Sequence, residues 1–488
     1  MIRHPERSEG SPANGAQFGR WAGDSAPSAR LGMTLVAALA LLLGACASVD
    51  NPGTSPAPAT PWTPPASAVP PVTKFETAAP AASPVSLADV VSIAVANNPL
   101  TREAWLNART AEANLGSRRS AYYPEVDLGA SLSRQSVGAG VNPGSSSTTF
   151  APSVALSYLL FDFGGRAATV EEARQTLIAA DFEHNQTLQN VVLAAEQAYF
   201  QTLDAKALLV AQAGTIKERQ AELDTAEARH GAGLATIADV LQARTALSQA
   251  QLTYEQIEGN LRTLEGTLAT TMGLPATTHF DFGELPANVA TATTTQAVDA
   301  LIAQAVVDRP ALAAARADAE RARAHIEEVR SSYLPSVTVN SAAGRTFFAA
   351  PSSANGANSF SAGLGLRFPL FTGYRNVYDV RAARLQAELA QEDVRDLTQQ
   401  IGLQVWSSYY AMQTARQRVT TSRDLLASAQ ESANVAAARY REGVGTILDV
   451  LTAQSALENA RAQEVQSRAD YLLALAELAH ATGKLGAP

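Results

Sequence analysis

The chain is short of most residues that carry covalent or catalytic chemistry. Of 488 residues only Cys46 is a cysteine, so no internal disulfide can form. Charged residues make up 17%, and no five like charges run together. The net charge of −9 and pI near 5.3 argue against nucleic acid as a main partner. The six histidines, His4, His184, His230, His279, His325 and His480, never fall three to five residues apart, so no metal site shows as a spacing. Glycine loops that cradle phosphate before Lys-Ser/Thr are absent, as is GxSxG. These absences point away from an enzyme and away from any cofactor. The apolar run "MTLVAALALLLGAC", Met33 to Cys46, is too short to span a bilayer as a helix.

That run has the length of a signal-peptide core. It ends in Leu43-Gly44-Ala45-Cys46, which resembles a bacterial lipobox. In such signals the cysteine is acylated and becomes the mature N-terminus, so a covalent lipid on Cys46 is expected. The alternative is an ordinary secretory signal with an incidental cysteine. Ala47 follows rather than Asp, and in the resemblance nothing then retains the protein at the inner membrane. Residues 1–45 are read as signal peptide, with translation starting either at Met1 or near Met33. Residues 49–84 hold ten of the 24 prolines. Residues 46–84 therefore read as an extended, unpacked tether.

The rest repeats itself. "RHGAGLATIADVLQARTAL" from Arg229 and "RYREGVGTILDVLTAQSAL" from Arg439 align at an offset of 210. Pro99 aligns with Pro310, Pro124 with Pro335 and Gly273 with Gly483; "LLFDFGGR" aligns with "PLFTGYR". Two copies, 85–274 and 297–488, flank a linker at 275–296. Each copy opens with two helices split at the proline. The period then changes to two, predicting strands at about 124–136 and 149–161 in the first copy and 335–346 and 358–370 in the second. A helix of about 65 residues follows, with heptads such as Val405, Met412, Val419 and Leu426. A glycine break and a returning helix of about 37 residues complete the copy. The predicted fold is mainly α with membrane β-strands: tandem helical hairpins of roughly 100 Å, each tipped by a strand pair.

A strand pair is not stable alone. Strands of 9 to 12 residues with one apolar face suit an outer-membrane barrel. Four strands cannot close one, and an open edge is forbidden in lipid, so several chains must share a barrel. The competing picture is a water-soluble sheet capping a helical rod.

The tandem repeat, "AYYP" and "SYLP" before the first strand of each copy, "LFDFGGR" and "LFTGYR" after the second, and the two glycine breaks together resemble the TolC-like outer-membrane efflux proteins over about residues 85–485. The lipobox fits the lipid-anchored branch. The resemblance implies a homotrimer with a twelve-stranded barrel and a twelve-helix periplasmic tunnel. It also implies a passive channel that receives substrate from a periplasmic adaptor on an inner-membrane pump. Gly233, Leu234, Gly443, Val444 and Gly445 would form the adaptor-docking tip, the glycines supplying φ > 0 for a tight reversal. Asp239 and Asp449 would begin the returning helices or act as the gate. Gly445 stands where the family often carries an arginine. Export of small molecules, metals or protein all remain open, and so does a trimeric coiled-coil stalk without transport.

Overall fold

The computed structural model describes residues 57–62, 84–136, 146–287, 289, 297–349 and 356–484. The chain divides into Met1–Pro52 and Gly53–Pro488. The first unit, with the signal segment and Cys46, lies outside the described residues. Everything below concerns the second.

Its first repeat runs α1 (Leu87–Asn97), α2 (Pro99–Arg119), a 3-10 turn at Ser120–Tyr122, β1 (Glu125–Ser136), β2 (Ser146–Phe161), α3 (Gly165–Gly231) and α4 (Ile237–Thr271). The second runs α5 (Val298–Asp308), α6 (Pro310–Ser331), β3 (Ser336–Ala349), β4 (Ala357–Arg367), α7 (Arg375–Arg441) and α8 (Ile447–Ala481). Both long helices have 67 residues and both returning helices 35. At 1.5 Å per residue the long ones reach about 100 Å. Among the described residues no helix is long and apolar enough to cross a membrane.

Each repeat builds its main core halfway along the long helix. Val90 and Ala94 of α1 pack with Val191, Ala195 and Tyr199 of α3 and Leu268 of α4. Leu301 and Ala305 of α5 pack likewise with Ile401, Val405 and Met412 of α7 and Tyr471 of α8. The heptad positions Val405, Met412 and Val419 are all buried.

The matched glycines mark a joint in each repeat. Gly273 (φ 73°) lies two residues past the end of α4 and Gly483 (φ 80°) two past the end of α8. A Cβ on Gly273 would lie 2.5 Å from the Asn97 carbonyl oxygen, and one on Gly483 2.9 Å from the carbonyl carbon of Asp308. Only glycine allows both the left-handed turn and that approach. The residue before each proline then reaches across to the orphan carbonyls of the returning helix. Asn98 Nδ2 donates to Thr271 O at 2.9 Å; Arg309 Nη1 donates to Ala481 O at 3.2 Å. The second helix of each repeat and its returning helix thus meet end to end beside one long helix.

The four strands form one antiparallel sheet in the order β1-β2-β3-β4. β2 is longer than expected, and β4 ends at Arg367 instead of 370. Pro369 supplies no N–H for the ladder, so Phe368 and Leu370 fall beyond the strand.

The tether reading also needs correcting. Residues 57–62 are packed on α3. Trp62 N donates to Asn185 Oδ1 and Asn185 Nδ2 returns a bond to Trp62 O, both at 2.6 Å. The Trp62 ring, buried, meets Phe182 edge-on at 5.1 Å. His184 Nε2 donates to Pro58 O at 2.7 Å. Proline-rich composition made the segment look unpacked, but one aromatic and one side-chain amide suffice to seat it.

Candidate functional site

Two regions bear on function: the sheet at one end of the long helices and the two turns at the other. In the sheet, register decides which residues share a face. Val126 pairs with Leu156, Leu128 with Val154 and Leu132 with Phe150. Phe150 pairs with Phe347, their rings stacked at 6.1 Å. Val339 pairs with Leu364 and Val337 with Leu366. All these lie on one face. The opposite face holds Asp127, Gly129, Ser131 and Ser133 against Ala155, Ser153, Ala151 and Thr149, with Asn340 opposite Gly363. The apolar face is bare: Leu128 is 83% exposed, Phe360 76% and Leu364 75%. Arg345 interrupts it near the loop end, with its guanidinium 5.0 Å over Phe347. β1 and β4 leave one edge each without a strand partner among the described residues. Water would penalise so large an apolar face, which rules against a water-soluble cap on a rod.

The strand-to-helix motifs have a local cause. Phe163 and Gly164 (φ 52° and 92°), and Gly373 and Tyr374 (φ 66° and 64°), are left-handed. That pair of residues swings the chain from strand into helix. Arg166 secures the first bend: its Nη2 donates to Leu160 O at 3.2 Å and its guanidinium lies 5.2 Å over Tyr122.

At the other end both turns are Schellman motifs. Leu234 N donates to Arg229 O and Gly233 N to His230 O, at 2.8 and 2.9 Å. Val444 N donates to Arg439 O and Gly443 N to Tyr440 O, at 2.9 and 3.1 Å. Gly233 and Gly443 have φ of 73° and 77°. Gly445 does not: it is not among the positive-φ residues. A Cβ there would sit 3.2 Å from the Cβ of Arg439, so its smallness lets the chain pass close to the end of α7. Leu234 and Val444 stand out into solvent, as do Ile237 and Leu448.

Each returning helix starts with a capping box. Thr236 N donates to Asp239 Oδ2 at 3.0 Å while Asp239 N donates to Thr236 Oγ1 at 3.3 Å. Thr446 and Asp449 repeat this at 3.0 and 3.2 Å. The bond from the Thr446 backbone, then the Thr446 hydroxyl, holds the Asp449 carboxyl below the usual carboxylate range.

Reading each repeat alone hides a bond between the two turns. The Arg229 guanidinium lies 4.8 Å over the Tyr440 ring, and its Nη1 donates to Arg441 O at 2.9 Å. Higher up, Arg461 grips Glu218 with two bonds of 2.8 and 2.9 Å, and buried Arg219 reaches Ser455 at 3.2 Å. The residues are visible in the sequence; only the pairing of repeats brings them together.

Comparison with known proteins agrees with this geometry. The family described as outer membrane efflux protein matches residues 90–274 and 301–484, one match per repeat. The chain is similar to Protein CyaE of Bordetella pertussis, 30% identical across 82% of this chain and 85% of that one. It is 26% identical to outer membrane protein TolC of Escherichia coli K12, across 82% of each. Among solved structures, the outer-membrane channel OprN superposes with a TM-score of 0.73 at 19% identity, over 81% of this chain and 89% of that one. CusC superposes at 0.72 and 19% identity, over 82% and 92%. With a membrane-grade sheet, paired helical hairpins and a family match over both repeats, the chain belongs to the outer membrane efflux protein family and is a channel, not a stalk.

Proposed function

We propose that three copies of this chain close a single barrel across the outer membrane and continue below it as a helical tunnel. The tunnel receives substrate from an inner-membrane pump through a periplasmic adaptor, and the protein performs no catalysis. The observation that carries this reading is the four-stranded sheet with its bare apolar face and, among the described residues, two unpaired edges. In lipid each unpaired backbone group costs several kcal/mol. Edge pairing of β1 with β4 of a neighbour removes the cost, and three sheets of four make twelve strands. The polar, small-residue face then lines the pore.

The adaptor docks at Gly233, Leu234, Gly443, Val444 and Gly445. The exposed Leu234 and Val444 offer apolar contacts on turns kept low by glycine. Asp239 and Asp449 lie within the first turn of the helices that leave that tip and supply the negative charge of its constriction. A lipid on Cys46 anchors each chain. Supporting this is Leu43-Gly44-Ala45-Cys46, which resembles a lipobox and carries the chain's one cysteine.

Purified full-length protein in a planar bilayer tests the reading. Discrete conductance steps from a species three chains in mass are expected. A non-conducting monomer that stays in the aqueous phase overturns it.

A further inference from the structure

We propose that Glu172, His325 and Glu328 form a binding site for one divalent transition-metal ion of the zinc class, clamping the first repeat to the second just below the sheet. Glu172 lies about two turns into α3, and Glu328 about one turn before the end of α6. His325 and Glu328 are three apart on α6 and so share a face. Their donor atoms and that of Glu172 all lie within 4.8 Å of one another. His325 Nδ1 is 2.9 Å from Glu328 Oε2 and 3.5 Å from Glu172 Oε2. Bonds of about 2.0–2.1 Å in a tetrahedron put neighbouring donors roughly 3.3 Å apart. The imidazole nitrogen already stands at about that distance from both carboxylates.

Charge points the same way. Two carboxylates from different helices converge, and among the described residues neither is paired with a lysine or arginine. Among the described residues their one cationic partner is the His325 imidazole, which carries at most a single charge. A dication supplies what the set lacks. Thr169 Oγ1 donates to Glu328 Oε1 at 3.2 Å, which holds that carboxylate with Oε2 turned toward the imidazole, as outer-shell partners do around metals. One nitrogen and two oxygens select a borderline ion such as Zn²⁺ over Ca²⁺ or Mg²⁺. Three protein donors leave the fourth position to water. No sequence spacing announces the site, because its donors come from different repeats.

The test uses full-length protein in detergent, stripped with chelator and titrated with ZnCl₂ by calorimetry, with Co²⁺ as a visible-absorption probe of tetrahedral coordination. Wild type should bind one ion per chain. His325→Ala should lose it, and Glu172→Gln, which keeps the side-chain shape, should weaken it at least tenfold. Zinc should raise the Tm of wild type but of neither variant, and circular dichroism checks that both are folded. If wild type binds no zinc at 100 µM, or both variants bind it with unchanged affinity, the three groups are an ion pair only and the proposal fails.

Discussion

A methyl group's worth of volume decides the joints of this chain. Gly273→Ala places a Cβ 2.5 Å from the Asn97 oxygen and keeps φ at 73°. Strain and displacement together should cost more than about 1 kcal/mol, read as a lower Tm. Gly259→Ala, helical and with nothing within 4 Å of its Cβ, should instead hold or gain stability. Asp181 is the other residue under tension. It is fully buried on α3, and neither carboxyl oxygen has a hydrogen-bond partner among the described residues. Burial, with the nearby Glu112 charge second, pushes its carboxyl up to about 8. Because the folded value lies above the unfolded one, the native state holds the extra proton between pH 4 and 8. Its stabilising effect is complete below the unfolded value and fades as pH rises through 8. Asp181→Asn should therefore leave the Tm nearly unchanged at pH 3.5 and raise it increasingly up to pH 8.5. Equal shifts at both pH values would show that the carboxyl finds a partner when ionised.

At the scale of elements, the sheet is the part that must leave water. Leu364, 75% exposed and opposite Val339, sits in the middle of β4 on the apolar face. Leu364→Arg should cost about 2–4 kcal/mol per chain at the bilayer midplane. Heat-stable oligomers should vanish from outer-membrane fractions; their persistence would place Leu364 away from lipid. The strands, helices and breaks were legible because each is written in local periodicity and repeated 210 residues later. Alternation marked the strands, heptads the long helices, and glycine followed by Asp239 or Asp449 the turns. Contacts between repeats were not legible. Arg229 on Tyr440, Arg461 on Glu218 and the Glu172–His325–Glu328 cluster join segments more than 150 residues apart. Gly445 looked like a turn glycine because it neighbours one, whereas its value is closeness to Arg439. Trp62 was hidden by ten prolines that suggested an unpacked chain.

At the scale of the whole molecule, the proposed anchor and the proposed gate are separable. Cys46→Ala should abolish labelled-palmitate incorporation while leaving folding intact, since the sheet, not the lipid, inserts the body. Trp62→Ala should keep acylation but free the seated segment, detected as new protease cleavage near Trp62. Normal acylation of Cys46→Ala would overturn the lipid anchor.

The gate prediction sets two effects against each other. Within one chain the Thr446 bonds hold Asp449 ionised below the ordinary range, so its capping contribution is full above the unfolded value and lost as pH falls through the folded one. Threefold assembly would gather like carboxylates near one axis, which raises their proton affinity and attracts cations where water is scarce. At neutral pH both effects leave net negative charge at the constriction. The channel should then prefer cations, lose that preference as acid protonates the carboxylates, and be blocked by multivalent cations. Asp449→Asn and Asp239→Asn keep an oxygen acceptor for the Thr446 and Thr236 amides but remove the charge. Each should shift the reversal potential in asymmetric KCl toward zero, and the double variant should shift it further. If neither moves it, the two aspartates serve only to start their helices, and the charge that selects ions lies elsewhere along the tunnel.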